Sequence, residues 1–421
     1  MDLLKNVFQY ISDLGAAVTM PIIITVLGTL VGIGFRRSLR SGMMYGVGFT
    51  GILVILDLFL GSLGKAASAM VERFGFHLDV IDAGWTLGAA MAFSSPLMPV
   101  AFVAIIGINL LLIMAGFLKT LDVDLWNYWL FITGGVMIQQ LTGSFLLGLV
   151  SVIVFAIIVI KLSDIWAKGA WDVVGLPQGV TLPHLDTISM APVYFAVNAV
   201  LDRIPGVRDW NVSHESIQRR FGVFGEPVFI GGILGAIFGV LAGYDAKGVL
   251  DLTVKLAASM VLLPRVIGIL MEGLVPIADG VRDTVMKRLS GRQVYIGLDA
   301  AVGVGHPSVM ALGIVIVPII MFLSVILPGN HVLPFADLSS MPFYMLWAVI
   351  ACRGNLFRGI VAGTVGSAIY LWLGTFVAKL YTGAALALKL EVQQGASAIS
   401  SISAGNPLYS LLIAIAKIFC G

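Results

Sequence analysis

Asp299 lies in the stretch IGLDAAVGVGHPSV, which holds no other acid and no basic residue. A carboxylate in such apolar surroundings is costly unless it binds something or finds a partner from another segment. Seven residues on, His306-Pro307 ends the same element. His184 sits in GVTLPHLDTISMAP with Asp186 and Thr187 beside it. It reads either as a loop histidine or as the polar tip of a hairpin that offers an imidazole to a hydroxyl-rich ligand. Gln139 and Gln140 interrupt the apolar run GGVMIQQLTGS, and Trp85-Thr86 places an aromatic face next to a hydroxyl. That combination holds a carbon chain decorated with hydroxyls, although a tryptophan also serves as an interfacial anchor. Glu226, in FGVFGEPVFIGG, is either a helix-start residue favoured by the positive end of the dipole or a ligand contact. Asp57, Asp251 and Lys255 are read as structural, the last two as an i, i+4 pair.

The surroundings of these residues are set by composition. The chain has 421 residues, 59% of them hydrophobic and 11% charged, and its mean hydropathy is +1.01. Soluble domains carry about 25% charged residues, so this chain lacks the charge to coat a water-facing surface. Lipid removes that need. A net charge of +2 with no basic block gives no reason to expect nucleic acid, and two cysteines, Cys352 and Cys420, make neither a disulfide framework nor a metal cluster. There is no Walker A loop, HExxH pair or GxSxG turn, so catalytic residues, metal ligands and cofactors are not expected. The segment MDLLKNVFQYISDLG lacks a basic n-region and a cleavage site, and is not read as a removable signal peptide.

An all-α polytopic membrane protein follows. Candidate crossings run over 14–35, 42–63, 96–117, 127–160 (one long piece or two short), 227–243, 248–272, 308–327, 342–352 with 354–380, and 406–419. With the broken pieces counted, about ten to eleven helices are expected. Residues 65–79 and 276–290 look amphipathic and are expected to lie along an interface. Segments 84–95, 181–200 and 295–307 are short, weakly apolar and broken by Gly or Pro. They read as re-entrant hairpins, a backbone tolerated at membrane depth only where it is buried in protein or lines a cavity. Arg36, Arg37 and Arg40 between the first two spans, and Arg203, Arg208, Arg219 and Arg220 in the middle loop, place both loops on the cytoplasmic side.

The chain also reads as two halves of one plan. Pro96 is followed 47 residues later by Gly143, and Pro307 47 residues later by Gly354; Pro21 and Pro227 each precede a glycine-spaced helix. The division is 1–200, a connector at 201–226, and 227–421. If the halves are inverted, the GYDAKG loop at 243–248 faces out where RRSLR faces in. The series Gly231, Gly235, Gly239, Gly243 shares one helical face and predicts close helix packing, with sliding of one domain on another as the functional alternative. Matched broken segments in two halves point to a midplane binding site.

Several strings carry a resemblance: IQRRFGVFGEPV (217–228), AGYDAKGVLDL (242–252), LLPRVI (262–267), IGLDAA followed by GH (296–306), LPGNHVLPFADL (327–338) and RGNLFR (353–358). Together they resemble the galactitol-type enzyme IIC permeases of the bacterial phosphoenolpyruvate-dependent phosphotransferase system, over essentially the whole chain. The resemblance departs at the end, where family members carry a further apolar stretch and a basic tail. It implies a homodimer of inverted repeats in the bacterial inner membrane, each protomer pairing a scaffold with a core domain that moves like an elevator. It further implies galactitol or a similar polyol as cargo, and a IIB phosphocysteine, charged through a IIA histidine, as the phosphoryl donor. The permease itself would do no covalent chemistry. Carried over position by position, the substrate contacts are Trp85, Thr86, Gln139, His184, Glu226, Asp299 and His306. The alternative is an ion-driven secondary transporter, in which Asp299 or Glu226 binds a proton or Na⁺.

Overall fold

The computed structural model describes residues 16–30, 32–75, 78–124, 126–206, 210, 212, 226–288, 293–390 and 397–420. The connector residues Arg208, Arg219 and Arg220 lie outside them, as does most of the string beginning at Ile217. The first half opens with α1 (Ala16–Leu30) and α2 (Phe35–Phe74). Strand β1 (Val80–Asp82) leads to α3 (Trp85–Ser94), which meets α4 (Met98–Met114) at a bend of 96°. Then come β2 (Thr120–Asp122), α5 (Tyr128–Thr142), α6 (Phe145–Val174), β3 (Val180–Thr181), α7 (Leu185–Ile188) and α8 (Ala191–Leu201). The second half repeats the order with α9 (Pro227–Leu241), α10 (Ala246–Arg288), β4 (Tyr295–Gly297), α11 (Ala301–Val304) and α12 (Pro307–Ile326). It continues through β5 (Val332–Leu333), a 3₁₀ turn at Ala336–Ser340, α13 (Met341–Ala351), α14 (Leu356–Ala387), β6 (Ala398–Ser400) and α15 (Pro407–Cys420).

Among the described residues, five helices are long and apolar enough to cross a bilayer: α2, α6, α12, α14 and the first part of α10. The bent pair α3–α4 makes a sixth. The shorter pieces need partners. A 15-residue helix such as α5 reaches about 22 Å, short of the roughly 30 Å of hydrocarbon.

Two V-shaped helix pairs, α1–α2 and α9–α10, stand upside down to each other. Gly48 of α2 abuts Leu270 of α10, while Gly51 abuts Val266 and Gly273 abuts Tyr45, so these two helices run antiparallel. Arg73, at the far end of α2 from its own vertex, donates to the carbonyls of Val240 (2.6 Å) and Leu241 (3.1 Å) at the vertex of the second V. The glycine series explains how close the second V is. A Cβ on Gly235 would stand 2.8 Å from Thr253 Cα, and one on Gly239 3.0 Å from Val249 Cα. That stripe therefore packs a helix against its own V partner. The expected interfacial segments 65–79 and 276–290 are corrected here: up to Phe74 and Arg288 they continue α2 and α10, helices of 40 and 43 residues. At about 1.5 Å per residue, each is roughly twice as long as the hydrocarbon layer is thick.

The strands were not expected. They form two three-stranded parallel sheets, β5-β1-β6 and β2-β4-β3. Replacing each strand by its counterpart in the other half turns one sheet into the other. Each sheet thus takes its central strand from one half and its edges from the other, which ties the repeats together across the molecule. Runs of two or three residues carry no readable alternation, and lipid tolerates such extended backbone only when protein surrounds it.

Candidate substrate site

Parallel strands send their carboxyl ends in one direction, and the site is built from the residues just beyond those ends. In the second sheet, Thr120–Asp122 and Val180–Thr181 flank Tyr295–Gly297, with Asp122 and Thr181 both in register with Gly297. His184 lies three residues beyond Thr181 and Asp299 two beyond Gly297, so the two emerge from the same edge. Trp126, Asn127 and Trp129 come after β2. From the other sheet come Trp85, after β1, and Ser340, Phe343 and Tyr344, after β5. These residues enclose a cavity of about 220 Å³, closed by Asp186, Ala301 and, from α2, Leu53 and Asp57. Among the described residues, no lysine or arginine lines it.

The walls are aromatic. Trp85 packs on Trp129 with ring centroids 5.9 Å apart, and His184 lies 6.2 Å from Phe343. The His184 carbonyl accepts the Thr187 N–H and hydroxyl and the Ile188 N–H, which fixes the hairpin tip. Asp299 Oδ1 accepts the Ala301 N–H at 2.8 Å. Behind Trp85 a buried polar knot joins the halves. Asp82 accepts from the backbone N–H groups of Gly84 (3.0 Å), Phe335 (3.0 Å) and Asp337 (2.8 Å). Asp337 in turn accepts from the backbone of Trp85 (2.8 Å) and Ser403 (3.2 Å), and the Ser403 hydroxyl donates to Asp186 Oδ2 at 2.6 Å. These carboxylates position the wall.

Three polar atoms on the lining residues have no hydrogen-bond partner among the described residues: His184 Nδ1, Asp186 Oδ1 and Trp129 Nε1. Buried polar groups are ordinarily satisfied, so three orphans among the residues of one cavity set it apart as the candidate site. No three His, Cys, Asp or Glu side chains among the described residues converge to hold a metal ion. A wider cavity of about 590 Å³ adjoins the first, sharing Trp85 and Ser340 with it and running along the α2 face of Gly61, Lys65, Ser68 and Glu72.

Of the residues singled out from sequence, the structure brings Trp85, His184 and Asp299 together on this cavity. Thr86 is exposed beside it. Gln139 stands near the far end of α5, against Gly148, about 15 Å along the helix axis from Trp129. Glu226 precedes α9, and His306 lines a different cavity near Arg353. The reading from sequence missed Trp126, Trp129, Phe343, Tyr344 and the cavity-facing position of Asp57. The run DVDLWNYW, with its aromatic cluster directly after a pair of acids, was the available signal.

The profile of the family described as "PTS system sugar-specific permease component" matches residues 10–395. The chain belongs to this family. It is 38% identical to the "PTS system galactitol-specific EIIC component" of Escherichia coli strain K12, over 98% of this chain and 91% of that one, and equally so to the protein of that name in Escherichia coli O157:H7. A "Putative permease IIC component" of strain K12 is 37% identical over 95% of this chain and 91% of its own. The permease is thus a multi-pass membrane protein and the transport subunit of a phosphotransferase system, and its membership implies a sugar-type cargo and partner components.

Proposed function

We propose that the permease carries galactitol or a closely similar hexitol across the bacterial inner membrane and presents it to a IIB partner, itself charged through IIA, for phosphorylation. The observation that carries this reading is the cavity with its orphaned donor and acceptors. A hexitol presents only hydroxyls on a carbon chain, so it needs apolar faces for the C–H groups and mixed donors and acceptors for the rest. Trp85, Trp129 and Phe343 supply the faces; His184, Asp186, Asp299 and the Trp129 N–H supply the partners. No cation in the described wall competes for an acidic cargo, which favours a neutral polyol over a sugar acid. Thr86, Gln139, Glu226 and His306 act outside this cavity.

The two Vs form the scaffold, also the surface for a homodimer, and the remaining elements form the core that moves against it as an elevator. The α2 face that begins at Leu53 and Asp57 and runs on through Gly61, Lys65, Ser68 and Glu72 is the track along which the cavity is exposed. Phosphorylation adds charge to the product and so prevents its return through an apolar gate.

Equilibrium binding of galactitol to purified variants tests the site. Asp299→Asn weakens a charge-assisted bond of about 1.5–3 kcal/mol, so the affinity falls roughly tenfold or more while the protein still inserts and assembles. His184→Ala weakens binding in the absence of any phosphorylated partner. Wild-type affinity in both variants would remove the cavity from consideration. Uptake into vesicles tests the energy source: accumulation of free hexitol under an ion gradient alone would sink the phosphotransferase reading.

A further inference from the structure

A second cavity, of about 410 Å³, sits on the same elements as the first but at their other ends. The short helix α13 and its flanks contribute Ser340, Phe343 and Tyr344 to the hexitol cavity at the start, and Ile350, Ala351 and, just past the end, Arg353 and Gly354 to the second cavity. The segment around α11 gives Asp299 and Ala301 to the first, then His306 and Ser308 to the second. The hairpin of α7 and α8 gives His184 and Asp186 to the first, then Phe195 and Asn198 to the second. From Tyr344 to Ile350 the axial rise is only about 9 Å. The connector docks beside this cavity: the Asn355 side-chain N–H bonds the Trp210 carbonyl at 2.5 Å, and the Leu356 N–H bonds the Val212 carbonyl at 2.7 Å.

The internal repeat supplies a control. The turn between α5 and α6 shares a left-handed glycine and a side-chain cap with the turn between α13 and α14, although Arg353 is itself left-handed where its counterpart Thr142 is the last residue of α5. Gly143 (φ 68) matches Gly354 (φ 76). Ser144 caps the Leu147 N–H at 3.3 Å as Asn355 caps the Arg358 N–H at 3.2 Å. Ser95 accepts the Leu97 N–H at 3.2 Å as His306 Nδ1 accepts the Ser308 N–H at 3.3 Å. In the first half the matching side chains are neutral: Ser95, Thr142, Ser144 and Leu147. In the second half they are His306, Arg353, Asn355 and Arg358. These basic side chains are therefore no part of the shared glycine-and-cap plan, and of the two matched turns they occur at the one that bears the connector. Arg358 is already neutralised by Asp202 at 2.5 Å and bonded to Asn198 at 3.0 Å. Arg353 is exposed, in the left-handed region at φ 54, and shares the rim with one acid, Asp172.

We infer that this cavity binds a phosphoryl dianion, with Arg353 as its main charge and His306, Ser308 and Asn198 as hydrogen-bonding groups. The dianion belongs either to the phosphorylated partner or to the phosphorylated cargo, since the connector docked beside the cavity is read from its arginines as cytoplasmic, the side on which both occur. The inference rests on the phosphotransferase reading for its source of phosphate, and on the cavity and the broken repeat for its location.

The test uses the purified full-length permease with inorganic phosphate and a hexitol phosphate as probes, against sodium chloride of matched ionic strength. Saturable binding of phosphate is expected in the wild type. Arg353→Asn, chosen because asparagine tolerates the left-handed conformation, weakens it at least tenfold while free hexitol binds within twofold of wild type. Arg353→Lys retains part of the affinity. Tighter binding of hexitol phosphate than of phosphate assigns the site to the product. Equal binding, with loss of phosphoryl transfer from the loaded partner in Arg353→Asn, assigns it to the donor. Wild-type protein that answers phosphate no differently from chloride overturns the proposal, as does Arg353→Asn with undiminished phosphate affinity. Failure of the hexitol to bind wild type would instead overturn the reading of the first cavity.

Discussion

The two halves of the permease share a backbone plan and differ in what they hang on it. After α5 and after α13 the chain passes through a left-handed glycine followed by a side-chain cap, with Arg353 left-handed as well in the second case, and starts a helix of 30 residues in one case and 32 in the other. Around the first turn stand Thr142, Ser144 and Leu147; around the second stand Arg353, Asn355 and Arg358. The two sheets differ in the same way. The last residue of central strand β1 is Asp82, whose carboxylate gathers three backbone N–H groups, and its counterpart in β4 is Gly297, with no side chain at all. A Cβ on Gly297 would lie 2.7 Å from Pro183 and 2.9 Å from Thr120. One sheet is braced by a buried aspartic side chain and the other by close backbone contact. A repeat that must serve two different aqueous faces keeps its geometry and varies its polarity.

The largest effect that breaks this comparison is predicted at Asp82. Asp82→Ala leaves three buried N–H donors without their acceptor, at about 1–3 kcal/mol each, and a loss of that size exceeds half the stability of many proteins. Size-exclusion chromatography of detergent extracts should show aggregated or absent protein. A monodisperse variant with wild-type melting would mean that the knot behind Trp85 is dispensable.

Next comes the aromatic wall. Trp85→Ala should lower galactitol affinity more than tenfold, because both the stacking face against Trp129 and the boundary with the adjoining cavity are lost. Trp85→Phe should recover part of it. Equal affinities for the two variants would show that Trp85 serves only as an anchor.

A smaller and equal pair of effects is expected at the turns. Nothing lies within 4 Å of a Cβ built on Gly143, and on Gly354 only Val173 at 4.0 Å. The cost of Gly→Ala is therefore conformational strain alone, about 1–2 kcal/mol at either site. Thermal melting of Gly143→Ala and Gly354→Ala should shift alike. A large difference would argue against equivalent turns.

The smallest effects should fall on the caps. Ser144→Ala costs about 1 kcal/mol. Asn355→Ala costs somewhat more, because the side chain also holds the connector through the Trp210 carbonyl. Melting curves resolve the pair, and a greater loss at Ser144 would contradict the connector contact.

The residues alone determined the solvent and the plan. The scarcity of charge and the apolar runs near 20 residues dictate a membrane bundle, because lipid leaves helices as the main way to satisfy a backbone, and the prolines and glycines at matched distances suggest a plan in two halves. Asp299 and His184 were legible as candidates for the same reason: a polar side chain in an apolar run needs a purpose. Only the tertiary structure decided which polar interruptions share a cavity. Six strands of two or three residues, too short to show a period, set the register that places His184 beside Asp299 and sends Trp126 and Trp129 to the same wall. Gln139 and His306 looked equivalent to them in sequence, yet helix rise carries both away from the strand ends. The pairing partners of those strands lie from 116 residues apart (Val180 and Ile296) to 318 (Val80 and Ala398) along the chain, and no local pattern records which distant segment will complete a sheet.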